Sequence, residues 1–84
     1  MNIQDNLDKL PEPPRIEKGR YRHYKGNEYE VMGVAFHTET LEPLVVYKAL
    51  EYKKGAEFWV RPYAMFFDQV IVTGKSVPRF EKID

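Results

Sequence analysis

The 84-residue chain has no cysteine, one serine, two histidines, no net charge and no aromatic residue in its first twenty positions. Without cysteine there is no disulfide framework and no thiol nucleophile, a usage compatible with a reducing compartment. Ser76 has no Ser/His/Asp spacing around it, and the chain holds no Gly-rich phosphate loop and no suggestive carboxylate pair, so catalysis is not expected. His23 and His37 would need distant carboxylates to close a zinc site, and neither a metal nor a cofactor is expected. No apolar stretch approaches the ~18 residues of a membrane span, and no basic segment followed by an apolar run opens the chain. These absences predict a cytoplasmic protein with no membrane partner. Thirteen cations against thirteen anions argue against a general polyanion binder.

All twelve aromatic residues lie between Tyr21 and Phe80, in short runs punctuated by Gly and Pro. A buried aromatic ring removes roughly 150–250 Å² from water, and a domain this small has little else to fold with. Most of the rings are therefore core. Residues 1–14 read as a leader and Pro-rich connector, and 15–84 as one β-rich domain. Ile3, Leu7 and Leu10 would share one face of a short amphipathic helix, although a frayed terminus is the plainer expectation. Pro11, Pro13 and Pro14 favour an extended connector.

Five strands are expected. Gly19 to Tyr24 is the first, followed by a tight turn at Lys25-Gly26-Asn27. Glu28 to His37 is the second, with Gly33 marking a bulge or sharp bend. Leu44 to Glu51 is the third, and the loop Tyr52 to Ala56 follows it. Phe58 to Arg61 is the fourth, stopped by Pro62 and followed by one turn of 3₁₀ or α structure. Val70 to Val72 is the fifth, with Val77 to Phe80 returning along an edge. This spacing predicts a mainly β fold, a small five-stranded SH3-like barrel, with an OB-type barrel as the alternative.

Three constellations carry chemical interest. In Gly19 to Lys25, alternation puts Arg20, Arg22 and Tyr24 on one face and Tyr21 and His23 on the other. A single-stranded nucleic-acid groove uses such a strand. A hairpin register pairing Arg22 with Glu30 would cancel the patch by ion pairing. His37-Thr38-Glu39-Thr40-Leu41-Glu42 offers His37 and Glu39 as ligand contacts, or simply a loop held by side-chain to backbone hydrogen bonds. In Phe58-Trp59-Val60-Arg61, an outward phase would present Trp59 and Arg61 together as a binding hot spot, and the opposite phase would bury Trp59.

Residues Gly19 to Glu42, Val45-Val46-Tyr47, Trp59-Val60-Arg61-Pro62 and Met65-Phe66 together resemble the small, mostly bacterial proteins grouped as domain of unknown function 1653. The resemblance spans roughly Arg15 to Phe80 and implies a stand-alone SH3-like barrel without supplying an activity. The chain departs from the family pattern at Phe36, which would add an apolar surface spot if outward, and in the longer Tyr52 to Glu57 loop. The expected function is a non-catalytic binding module. Tyr24, Tyr29, Tyr47 and Trp59 would form flat walls, Arg22 and Arg61 an anionic handle, and His37 with Glu39 a polar rim. A protein or peptide partner ranks first, single-stranded nucleic acid second and a small molecule third. Pairing of two copies through edge strands or the leader is also open.

Overall fold

A computed structural model describes residues 11–50 and 57–84. The proposed leader helix and the Tyr52 to Ala56 loop lie outside the described residues. The alternating Gly19–His23 segment forms β1, and Glu28–Phe36 forms β2, antiparallel to it. The turn between them is closed by His23 N–H to the Asn27 carbonyl at 2.8 Å and Gly26 N–H to the His23 carbonyl at 2.7 Å. Gly26 sits at φ 109°, a conformation that glycine adopts without steric cost.

Arg22 lies opposite Glu28 and Arg20 opposite Glu30, two residues away from the register with Arg22 facing Glu30. The turn sets this register: the His23–Asn27 bond leaves Tyr24 inside the loop, and its N–H donates to the Arg79 carbonyl at 2.9 Å on the β7 side.

β2 pairs with β3 (Pro43–Ala49), and the register slips between Val31 and Gly33, where the mid-strand glycine predicts a bulge. β3 pairs with β4 (Trp59–Pro62), and the chain then makes one helical turn, α1 (Tyr63–Phe66). Among the described residues, β5 (Gln69–Val72) and β6 (Lys75–Pro78) pair only with each other. Thr73 and Gly74, at φ 47° and 79°, join them in the backbone conformation of a two-residue hairpin. β7 (Phe80–Lys82) returns alongside β1, completing the sheet order β4-β3-β2-β1-β7.

The fold is thus mainly β, with two corrections. The fifth strand of the sheet is Phe80–Lys82, whereas Val70 to Val72 belongs to the separate hairpin. The hairpin is an excursion whose ends are tied where Arg79 N–H donates to the Asp68 carbonyl at 3.0 Å. The sheet is also not closed into a barrel, because its terminal strands β4 and β7 are not hydrogen-bonded to each other.

One face of the sheet carries the core. Tyr21, Val31, Val45, Tyr47, Phe66 and Phe80 are buried, with Ile16, Tyr29 and Tyr63 packed against them. Phe80 stacks on Phe66 with centroids 4.0 Å apart and planes 4° apart. Its ring also meets Tyr29 at 5.7 Å and Tyr47 at 5.5 Å, so the sheet curls around it. The segment just before β1 runs over this core, accepting hydrogen bonds from Tyr21 at the Glu17 carbonyl (2.7 Å) and from Tyr63 at the Arg15 carbonyl (3.4 Å). Burial raises the Tyr21 phenol above its ordinary pKa, with Glu17 and Tyr63 adding to the shift. Among the described residues, no helix is long and apolar enough to cross a membrane.

Candidate functional site

Strand phase decides which side chains of β4 meet the core. Trp59 lies opposite Tyr47 and Arg61 opposite Val45, and both of those partners are buried. Trp59 and Arg61 therefore belong to the core-bearing face, while Val60 points to the other side. This reverses the phase that would put Trp59 and Arg61 on an outer face. Trp59 nevertheless remains 46% exposed, because β4 ends the sheet and, among the described residues, no strand pairs with its far edge. Phe58, Val60 and Met65 are also exposed.

Arg61 reaches from β4 across the core. Its Nε donates to the Tyr47 hydroxyl at 3.4 Å, and its guanidinium carbon lies 5.7 Å from the Phe80 ring centroid. The two edge strands thus face each other across a seam bridged by a cation on an aromatic ring. Among the described residues, no carboxylate lies within ion-pair distance of Arg61. Arg79, by contrast, forks onto Asp68, with Nε to Oδ1 at 2.7 Å and Nη2 to Oδ2 at 3.3 Å. The Arg79 hydrogen bond holds the Asp68 carboxyl below its ordinary pKa.

His23 completes the seam from β1. Its ring meets Phe80 edge-on at 4.9 Å and Tyr24 at 4.5 Å, and Nδ1 accepts the Lys25 backbone N–H at 3.2 Å. Burial lowers the imidazole pKa, and Arg61, Lys25 and Arg79 lower it further. His23 is therefore neutral near pH 7, in a field set by three cations.

The residues singled out in the sequence divide into three groups. Tyr29, Tyr47, Trp59 and Arg61 come together on the core-bearing face, with the Tyr29 and Tyr47 rings 5.3 Å apart. Tyr24 joins at the rim through His23. Tyr47 is buried and offers no flat wall. Arg22 points to the opposite face, where it meets Glu28 at 3.5 Å. His37 and Glu39 occupy the loop at the other end of β2, roughly 16 Å from Tyr47 at about 3.3 Å per strand residue. There His37 Nδ1 accepts backbone N–H groups from Glu39 at 3.1 Å and Thr40 at 3.3 Å, which is the loop-holding role.

Phe36 lies opposite Pro43, two residues beyond the Val34–Val45 pair and on its side of the sheet. It is half-buried and forms no outward spot. His23, Asp68, Arg79 and Phe80 were not singled out as site residues. The shared strand face of Tyr21 and His23 was a signal for His23. Among the described residues, no group of three or more His, Cys, Asp or Glu side chains could hold a metal ion.

The sequence model of the family described as "Protein of unknown function (DUF1653)" matches residues 19–82, a span covering every strand of the sheet and the whole seam. A crystal structure of a DUF1653 protein from Bordetella bronchiseptica is similar to this chain, with a TM-score of 0.76 and 34% identity. The likeness covers 81% of this chain and 87% of that one. A comparison with curated proteins gives no match. With the family pattern running from β1 through β7 and the same fold in a relative of this identity, the chain belongs to the DUF1653 family.

Proposed function

We propose that this domain is a non-catalytic binding module that takes an extended protein or peptide segment along the β4 edge and the adjoining seam. The observation that carries the reading is the position of Trp59. It stands on the core-bearing face of a terminal strand, 46% exposed and two residues from the half-buried Arg61. An indole and a guanidinium at one edge are the side chains that dominate protein–protein binding energies. The edge of β4 with which no described strand pairs adds backbone groups to which an extended segment can hydrogen-bond as an extra strand. Val60, exposed on the opposite face of β4, adds apolar surface on the other side of the same edge.

Single-stranded nucleic acid is the weaker alternative. On the basic face of β1, Arg22 pairs with Glu28 and Arg20 lies opposite Glu30, which weakens the cation track that a phosphate backbone needs. The cysteine-free composition suits a cytoplasmic setting.

A random library of twelve-residue peptides selected on the intact protein, followed by Trp59 fluorescence titration of the enriched sequences, tests the reading. Enrichment that changes the Trp59 emission and is lost in Trp59→Ala is the expected result. No enrichment, together with salt-sensitive binding of a ten-nucleotide oligo-dT strand, would overturn it in favour of nucleic acid.

A further inference from the structure

Arg61 has hydrogen-bonding capacity that the fold does not use. Of the guanidinium's five N–H donors, Nε–H goes to the Tyr47 hydroxyl, and this is its only hydrogen bond among the described residues. A half-buried guanidinium has lost part of its hydration, and a planar acceptor with two oxygens takes two of its Nη–H donors in parallel.

The surroundings favour a negative charge. Arg61 and Lys25 stand close enough to His23 to oppose its protonation, whereas the third cation beside it, Arg79, is paired with Asp68. The one carboxylate of the cluster, Asp68, is engaged by both arms of the Arg79 fork. His23 adds a donor without adding a charge. Because its Nδ1 accepts the Lys25 N–H, the neutral ring carries its proton on Nε2. Trp59, on the same face of β4 two residues away, supplies an exposed apolar plane beside the anion position.

We propose that the seam between Arg61 and His23 is an anion subsite that takes a carboxylate of the bound segment, with the segment's neighbouring apolar group lying against Trp59. The source of that carboxylate, an acidic side chain or a C-terminus, rests on the binding-module reading. The subsite itself does not. It commits the module to segments in which a carboxylate stands close to a flat or bulky apolar group, and predicts that neutral analogues of the same shape are refused.

Sodium benzoate carries both features in one small molecule, benzamide is its neutral counterpart, and phenyl phosphate replaces the carboxylate by a phosphate. Each is titrated into the isotope-labelled intact protein while the Arg61 Nε–H and Trp59 indole N–H signals are followed by NMR. Benzoate is expected to shift both signals saturably, in the millimolar range for so small a ligand, and benzamide to leave them in place. Arg61→Gln is expected to weaken benzoate binding by about tenfold or more through loss of charge-assisted hydrogen bonds, and Arg61→Lys by less. Well-dispersed spectra of both variants show that the fold survives.

Equal shifts with benzamide, benzoate shifts confined to the Arg22 face, or unchanged affinity in a folded Arg61→Gln protein would overturn the subsite. Phenyl phosphate binding more than about tenfold tighter than benzoate would overturn the carboxylate in favour of a phosphate. If benzoate binds at Arg61 but no peptide is enriched, the peptide reading falls and the anion subsite stands. If peptides are enriched and bind equally well to Arg61→Gln, the reading stands and the subsite falls.

Discussion

The guanidinium of Arg61 on one edge strand lies 5.7 Å from the ring of Phe80 on the other. The edges of the sheet are held across this contact by a ring and a cation, without a ladder of hydrogen bonds. The same contact gives the seam its mixed character, aromatic beneath and cationic above. Phe80 is buried whereas Arg61 is half-buried at the end of the sheet, so substitutions at the two positions should differ in their cost to stability.

Phe80 is buried against Phe66, Tyr47, Tyr29 and His23. Phe80→Ala removes the ring on which four partners rest and leaves a cavity, at a cost of about 3–5 kcal/mol. For a domain of this size that is a large share of the total stability. Urea denaturation is expected to show a protein that is largely unfolded or has a sharply lowered midpoint.

Trp59→Ala is the contrasting case. The side chain is half out of water already, so the expected loss is about 1 kcal/mol or less. A urea midpoint close to the parent's, with peptide binding abolished, separates its binding role from packing. A loss as large as that of Phe80→Ala would assign Trp59 to the core.

Acid should destabilise the domain in two stages. The folded-state pKa of His23 is lowered, chiefly by burial and then by Arg61, Lys25 and Arg79. Its contribution is therefore fully present above the unfolded value of about 6.5 and is lost as pH falls through the lowered folded value. Asp68 is also depressed, chiefly by the Arg79 hydrogen bond, so its contribution is present above the ordinary carboxylate range and is lost below it. Urea midpoints measured from pH 7.5 to pH 3 should fall in both windows. His23→Gln should flatten the first, and Asp68→Asn the second.

Gly19 tests the entry into β1. It sits at φ 129°, and a Cβ there would come 2.7 Å from the Asp84 carbonyl oxygen. Gly19→Ala should destabilise by more than about 1 kcal/mol, since both the backbone angle and the close approach oppose it. Thermal unfolding of this variant beside Gly26→Ala, whose Cβ would meet nothing within 4 Å, separates the steric part from the conformational one.

Local features were legible in the sequence where a single residue type forces the geometry. Gly33 gave the bulge, Lys25-Gly26-Asn27 the first turn, and Pro62 the end of β4. The alternation of Tyr21 and His23 against Arg20 and Arg22 gave the two faces of β1. What escaped depends on pairings distant in the chain. Tyr24 bonds to Arg79, 55 residues away, and Phe80 rather than Val70–Val72 reaches β1. The phase of β4 could not be read from Phe58-Trp59-Val60, since all three side chains are apolar and a terminal strand leaves all three exposed. His37 and Glu39, expected at the rim of the site, lie in the loop at the far end of β2 from Tyr47, a separation that depends on strand pairing.

The central claim is that Trp59 and Arg61 form one binding surface while Arg22 and His37 lie outside it. Isothermal titration of one enriched peptide against Trp59→Ala, Arg61→Gln, Arg22→Gln and His37→Gln tests this most directly. The first two are expected to lose about tenfold or more in affinity, and the last two to stay within about twofold. Unchanged binding by Trp59→Ala and Arg61→Gln, with the loss falling on Arg22→Gln or His37→Gln, would contradict the account.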